Sequence, residues 1–423
     1  MSRLVNIEEH PAPESTRPSL VAFLALGFRP LYLAGTAWAL ISIALWIYAP
    51  QLLGTPLSLV AWHAHEMLWG FIITIAVGFL LTASANWTGF NPLHGRPLGG
   101  LMVLWLIARI GFLFGGVTGF WFATVAELLF FLTAAVCLAR VVLKSHSRRN
   151  YGLPPLVLAL GVADLLYLLA ALRGDYVVLM QRFDLGLIGM ATIALLIARR
   201  VIPFFSMRMV PGLKIPMLTR SGQAQMVFSV AALAAGLLHW PVAMAAALAL
   251  AGLISLVQLV YWNPAAVLHK PMLWILYLGY TFIALGLLAA AVQISGLFAP
   301  TLLHGVFARS ATHVHLIGLA GFCVLIIGMV TRTALGHLGR PLALDRSMLA
   351  SYWLMILAVL LRLAALWPST VSVHLLHLAA AAWILCMGLY LWRFAPLLIR
   401  PRPAKPAPAA APREPIVTAP QAH

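Results

Sequence analysis

WHAHEMLWGFIITIAVGFLLTASANW, residues 62–87, decides the fold. From Met67 onward it is almost wholly apolar, over about the twenty residues a helix needs to cross a bilayer core of roughly 30 Å. Two histidines and a glutamate stand at its mouth. Ionisable groups cost about 2.5–3.5 kcal/mol at the centre of a membrane helix. His63, His65 and Glu66 are therefore candidate functional residues before anything else is known of the chain.

The same apolar pattern recurs along the sequence. Of 423 residues, 63% are hydrophobic and 9% charged, where soluble domains carry about 25% charged residues. Twelve spans are expected, among them 62–83, 177–201, 223–239 and 311–331. The fold class is an all-α polytopic membrane protein. Residues 1–29 read as a cytoplasmic or interfacial segment, 30–395 as a twelve-helix transmembrane domain, and 396–423 as a disordered Pro/Ala-rich cytoplasmic tail. With the N-terminus inside, all basic residues but Arg109, Arg173, Arg182, Arg309 and Arg362 fall on the cytoplasmic side. That asymmetry orients a multi-pass protein with both termini cytoplasmic. It also accounts for a net charge of +17 without a nucleic-acid partner; these cations face the inner leaflet of a bilayer. The three cysteines stand singly and no CxxCH occurs, which excludes covalently attached c-type haem.

This topology sorts the histidines. HAH (63–65), HVH (313–315) and HLLH (374–377), with His239 and His304, all map to the outer ends of spans or to outer loops. Glu66, Glu127, Asp164, Asp184, Arg109 and Arg362 map to the outer halves of theirs. Positions i and i+2 of a helix point about 200° apart, so an HxH pair presents one imidazole to each side. Two b-type haems between spans 2 and 10, each touching one histidine of each pair, would use His63, His65, His313 and His315. Arg109, Arg309 and Arg362 would suit the propionates. His374 and His377, three apart, share a face and can share a metal. Glu66 reads either as a proton donor or partner to an imidazole, or as a carboxylate in the first turn of its helix. A proton or transit path in a transporter is the competing use of such a cluster.

The segments that follow the two HxH motifs resemble each other. HAHEMLWGFIITIAVGFLLTASANWTGFNPLHGRPL (63–98) and HVHLIGLAGFCVLIIGMVTRTALGHLGRPL (313–342) both run HxH, GF, a mid-span glycine, threonine and GRPL. Residues 184–204 carry a fainter version without histidine. Spacing by four spans suggests three arcs of four helices.

WHAHEMLWGF, FRPLYLAG (28–35), SATHVHLIGLAGF and MVTRTALGHLGRPL together resemble the NnrS family, over residues 20–395 or so. The resemblance implies an inner-membrane protein with haem and copper, tied to nitric oxide and nitrosative stress in denitrifying and related bacteria. It implies nitric oxide handling; if a haem keeps an open position, nitric oxide would bind there and be reduced, with quinol or another membrane donor supplying electrons. More distantly, the chain is similar to the catalytic subunits of haem–copper oxidases and NO reductases, which carry haem ligands on their second and tenth helices. It departs from them where their copper sits, since span 6 has no histidine and span 7 ends on His239 alone. Copper would then use His374 and His377 with His239 or His304 as a third ligand. The alternatives are a transporter, a haem- or metal-handling factor, and a protein that binds nitric oxide or carries electrons without turnover.

Overall fold

The computed structural model describes residues 17–296 and 309–403. Twelve long helices and a few short turns, with no strand among the described residues, make up the fold. They are α1 (Phe28–Tyr48), α2 (Leu59–Thr88), α3 (Gly95–Phe114), α4 (Gly116–Lys144), α5 (Leu153–Arg173) and α6 (Tyr176–Met209). The second half holds α7 (Thr219–Leu237), α8 (Pro241–Tyr261), α9 (Pro271–Ser295), α10 (Ala311–His337), α11 (Arg346–Ala364) and α12 (Ser372–Leu398). Local chemistry sets the ends. Ser58, Asp175 and Asp345 accept hydrogen bonds from the first-turn amides of α2, α6 and α11, and Gly89, at φ 76°, closes α2 in the left-handed conformation.

Eleven of these helices are long and apolar enough to cross a membrane. The expected seventh span, α7, is the exception, because its first turns read TRSGQAQ. Gln225 and Ser229 of this helix are buried. Gln225 donates to Ser255 of α8 at 2.7 Å and to Tyr280 of α9 at 2.9 Å. Buried amides paired in this way can sit in an apolar slab without stranding a donor.

Most consecutive helices pack side by side, and α12 closes back onto α1. Inside this ring, α2, α6 and α10 touch one another. The most apolar windows of α2 and α6 are 83% buried, against 39% for α1 and α3. Helices spaced by four thus meet at the centre, as the internal repeat suggested. Residues 1–16 and 404–423, the bulk of the expected N-terminal segment and tail, lie outside the described residues, as does His304.

One departure from the sequence reading matters for the site. Immediately after each HxH the helix widens to π geometry, over Glu66–Ile73 in α2 and Leu316–Cys323 in α10. Thr74 Oγ1 donates to the Trp69 carbonyl and Cys323 Sγ to the Gly318 carbonyl, each five residues back. Wide turns of this kind gather at functional sites.

Candidate functional site

The two histidines of HAH do face opposite ways, and what they face differs in kind. His63 looks into a cavity of about 200 Å³, open on one side, where α1, α2, α6, α10, α11 and α12 converge. His315 of α10 and Arg362 of α11 share its wall, together with Trp46, Phe183 and Trp383. The His63 ring stacks on Trp46 with centroids 3.9 Å apart and planes 6° apart, and its Nδ1 is buried without a hydrogen-bond partner. His315 is fixed differently. Its Nδ1 lies 2.7 Å from the Ala311 carbonyl, an acceptor only, so Nδ1 carries the proton and Nε2 keeps its lone pair. Arg362 has no carboxylate partner among the described residues. Two imidazoles and a guanidinium set in apolar walls are a donor set that fits a haem, with its flat apolar ring, iron and anionic propionates.

His65 turns to the other side of α2, into a closed polar cluster. Its Nδ1 is 2.9 Å from Glu66 Oε1. Its Nε2 is 3.0 Å from Asp164 Oδ1 of α5 and 3.3 Å from Glu127 Oε2 of α4. Arg109 of α3 pairs with Glu66 and lies 2.5 Å from Glu127 Oε1. The second of these is close enough for an ion pair without being aligned as a hydrogen bond. Trp38 of α1 donates to Glu66 Oε2 at 2.5 Å. All five ionisable side chains are buried, none more than 2% exposed. Aromatic rings seal the cluster, with Phe112 edge-on to His65 at 4.6 Å and Trp69 and Tyr167 stacked nearby. Gly70 makes the space; a Cβ there would run into the Arg109 guanidinium and the Glu66 carboxylate.

The four HxH histidines therefore do not form two equivalent pairs. His63 and His315 share a cavity. His313 lies 2.9 Å from Asp184 of α6, and His65 lies among Glu66, Glu127 and Asp164. His65 and His313 do not line the cavity that His63 and His315 share, and each has a carboxylate against a ring nitrogen. Arg109, expected beside a propionate, is taken by two glutamates. Arg309 is exposed and donates to the Leu366 carbonyl. Glu66 does not line the cavity; it holds His65 and Arg109 in place.

Among the described residues the expected copper ligands do not come together, and His304 lies outside them. His374 and His377 are exposed at the start of α12, where His377 Nδ1 donates to the Val373 carbonyl and the ring lies against Tyr48. His239 is exposed at the end of α7, with φ 59°. Among the described residues, three metal-ligating groups come together only at His65, Glu127 and Asp164. The sequence marked both acids as buried in outer half-spans, but placed neither beside His65. Trp46 and Trp38 carried no signal beyond their type.

A model of the NnrS protein family matches residues 22–402, nearly the whole chain. The chain belongs to the NnrS family. Membership suggests a membrane protein of the nitric oxide response, which agrees with the eleven membrane-length helices. No curated protein matches the chain.

Proposed function

We propose that this member of the NnrS family is an inner-membrane haem protein that binds nitric oxide in the cavity between α2 and α10 and reduces it with electrons from membrane quinol. The observation that carries the reading is the convergence of His63 of α2 with His315 of α10 and Arg362 of α11 on one apolar cavity. One of His63 and His315 would ligate a b-type haem, the other imidazole would face the place nitric oxide takes, and Arg362 would meet the propionates. When bound, the haem supplies an iron that takes a diatomic ligand and a one-electron couple. The chain's own residues do the rest. The Ala311 carbonyl fixes the His315 tautomer, Trp46 holds the His63 ring flat, and apolar walls keep water from the site.

The reading is for one haem in this cavity. An optical spectrum of the purified chain, oxidised and dithionite-reduced and then exposed to nitric oxide, tests it with haem counted per chain. One b-type haem that shifts with nitric oxide and disappears in His63→Ala or His315→Ala is the expected result, and a consumption assay with a reduced quinol then tests turnover. A haem indifferent to nitric oxide points to electron transfer alone. A folded, colourless protein ends the haem reading and makes the cavity a transit path.

A further inference from the structure

The geometry points to a second centre on the other face of α2, a divalent transition-metal site whose ligands are His65 Nε2, Glu127 Oε2 and Asp164 Oδ1. Three observations converge on it, and none involves the haem cavity.

The first is the direction of lone pairs. Glu66 is acceptor-only, so His65 Nδ1 must carry the proton that it shares with Glu66 Oε1. In the neutral ring Nε2 is then a bare acceptor, yet it points at two more acceptors, 3.0 Å and 3.3 Å away. None of these three atoms makes a hydrogen bond, and Asp164 Oδ2 is unpartnered as well, although Asp164 is fully buried. Lone pairs aimed at one another in an apolar interior need a cation between them.

The second is charge. Glu66, Glu127 and Asp164 against Arg109 leave two negative charges in excess when His65 is neutral. An unbalanced buried charge is strongly disfavoured. A divalent ion brings the cluster to zero; a single proton does not.

The third is shape. Bonds of about 2.1 Å in a tetrahedral array put neighbouring ligand atoms about 3.4 Å apart, close to the two separations found. The surroundings also match a metal site. Ligating imidazoles pass their other N–H to a carboxylate, as His65 does to Glu66, and Arg109 braces Glu66 and Glu127 from behind. One imidazole with two carboxylates is a donor set for zinc, iron(II) or manganese(II). Trp69, Phe112 and Tyr167 cover the site, so the ion would be retained through purification.

The inference does not rest on the haem reading, because His65 faces away from the cavity and a haem-free chain leaves it standing. The test uses the full chain in detergent. First-row metals are counted per chain by mass spectrometry, with haem iron determined separately and subtracted. The count is repeated after incubation with Zn(II) or Co(II) and gel filtration. The expected result is one non-haem divalent ion per chain, falling at least tenfold in Asp164→Asn and Glu127→Gln while haem content stays unchanged. If those variants fail to fold, Co(II)-loaded wild type still decides. Pulsed EPR should show a single coordinating imidazole nitrogen, and two or more would overturn the assignment. Wild type that takes up no ion would mean that protons alone fill the cluster, and a count indifferent to both substitutions would place the ion elsewhere. Either result overturns the proposal.

Discussion

Replacing Arg109 with methionine is the sharpest test of how the polar cluster is held together. Arg109 is 1% exposed and, among the described residues, is the one lysine or arginine that pairs with Glu66 and Glu127. Methionine fills the space of the side-chain stem but leaves both carboxylates without their counter-charge. Breaking one buried ion pair from one side costs about 3–5 kcal/mol, so Arg109→Met should lose at least that. The two glutamates are not equally exposed to the loss. Glu66 keeps the Trp38 indole N–H at 2.5 Å, whereas Glu127 is left facing Asp164 and His65. Glu127→Gln in the same chain removes the more poorly compensated charge. The double variant should therefore be more stable than the sum of the single losses, by about 1–3 kcal/mol. Thermal unfolding of the detergent-solubilised chain, followed by circular dichroism as a double-mutant cycle, measures it. Losses that add within about 0.5 kcal/mol would refute the coupling. So would an Arg109→Met variant as stable as wild type.

Other expectations follow from single contacts. Gly70→Ala puts a methyl group against the Arg109–Glu66 pair; it should destabilise by about 1–3 kcal/mol through overpacking, and a gain in melting temperature would contradict the packing described. Gln225→Leu makes α7 more apolar but removes the amide that donates to Ser255 and Tyr280, which keep only their own bonds to the Ala251 carbonyl and to Gln258. Its net loss should be about 0.6–1.7 kcal/mol, the range for interhelical hydrogen bonds in membranes, read by the same melt. At the mouth of α11, partial burial raises the Asp345 carboxyl, but hydrogen bonds from Ser347, Arg393 and the Met348 amide outweigh it and bring it down to about 2 from 3.8. The folded carboxyl is the stronger acid, so its contribution is full above pH 3.8 and is lost as pH falls towards about 2. Asp345 is about two-fifths exposed, which keeps the effect small. Melting curves of wild type and Asp345→Asn should converge over that interval; a gap that widens in acid would contradict the pairing with Arg393.

Much of the architecture was legible because it rests on local rules. Apolar length gave the long helices, and α7 is less apolar than the others because its first turns are polar, with Gln225 paired inside the protein. Helical angle alone placed His63 and His65 on opposite sides of α2. What the angle could not supply was the partner across each gap. The sequence repeat aligns His63 with His313 and His65 with His315, which invited two like pairs. The fold instead joins His63 to His315, because the ring of helices sets α1, α11 and α12 beside one face of α2, and α4 and α5 beside the other. Glu127 and Asp164 were visible as costly acids in the membrane, but their meeting at His65 depends on how α4 and α5 lean on α2. That is tertiary information, and no spacing within one helix encodes it.

The widened turns in α2 and α10 separate two demands that a straight helix would tie together. Each residue advances a regular helix by about 100°, so the side chains that grip neighbouring helices fix the heading of every residue above them. A π turn adds one residue without lengthening the path much, and so rotates the upper part of the helix against the lower. In α2 and α10 that swivel lies between the histidines and the long stretch that packs against the ring. The lower stretch can then obey the membrane while the histidines above are aimed independently. The third arm of the repeat, α6, stays α-helical from Tyr176 to Met209 and carries no histidine to aim. Straightening Glu66–Ile73 with every residue kept would turn His63 and His65 together by about a quarter of a circle relative to everything beneath them, whereas deleting one residue there would absorb the wide turn and keep their heading.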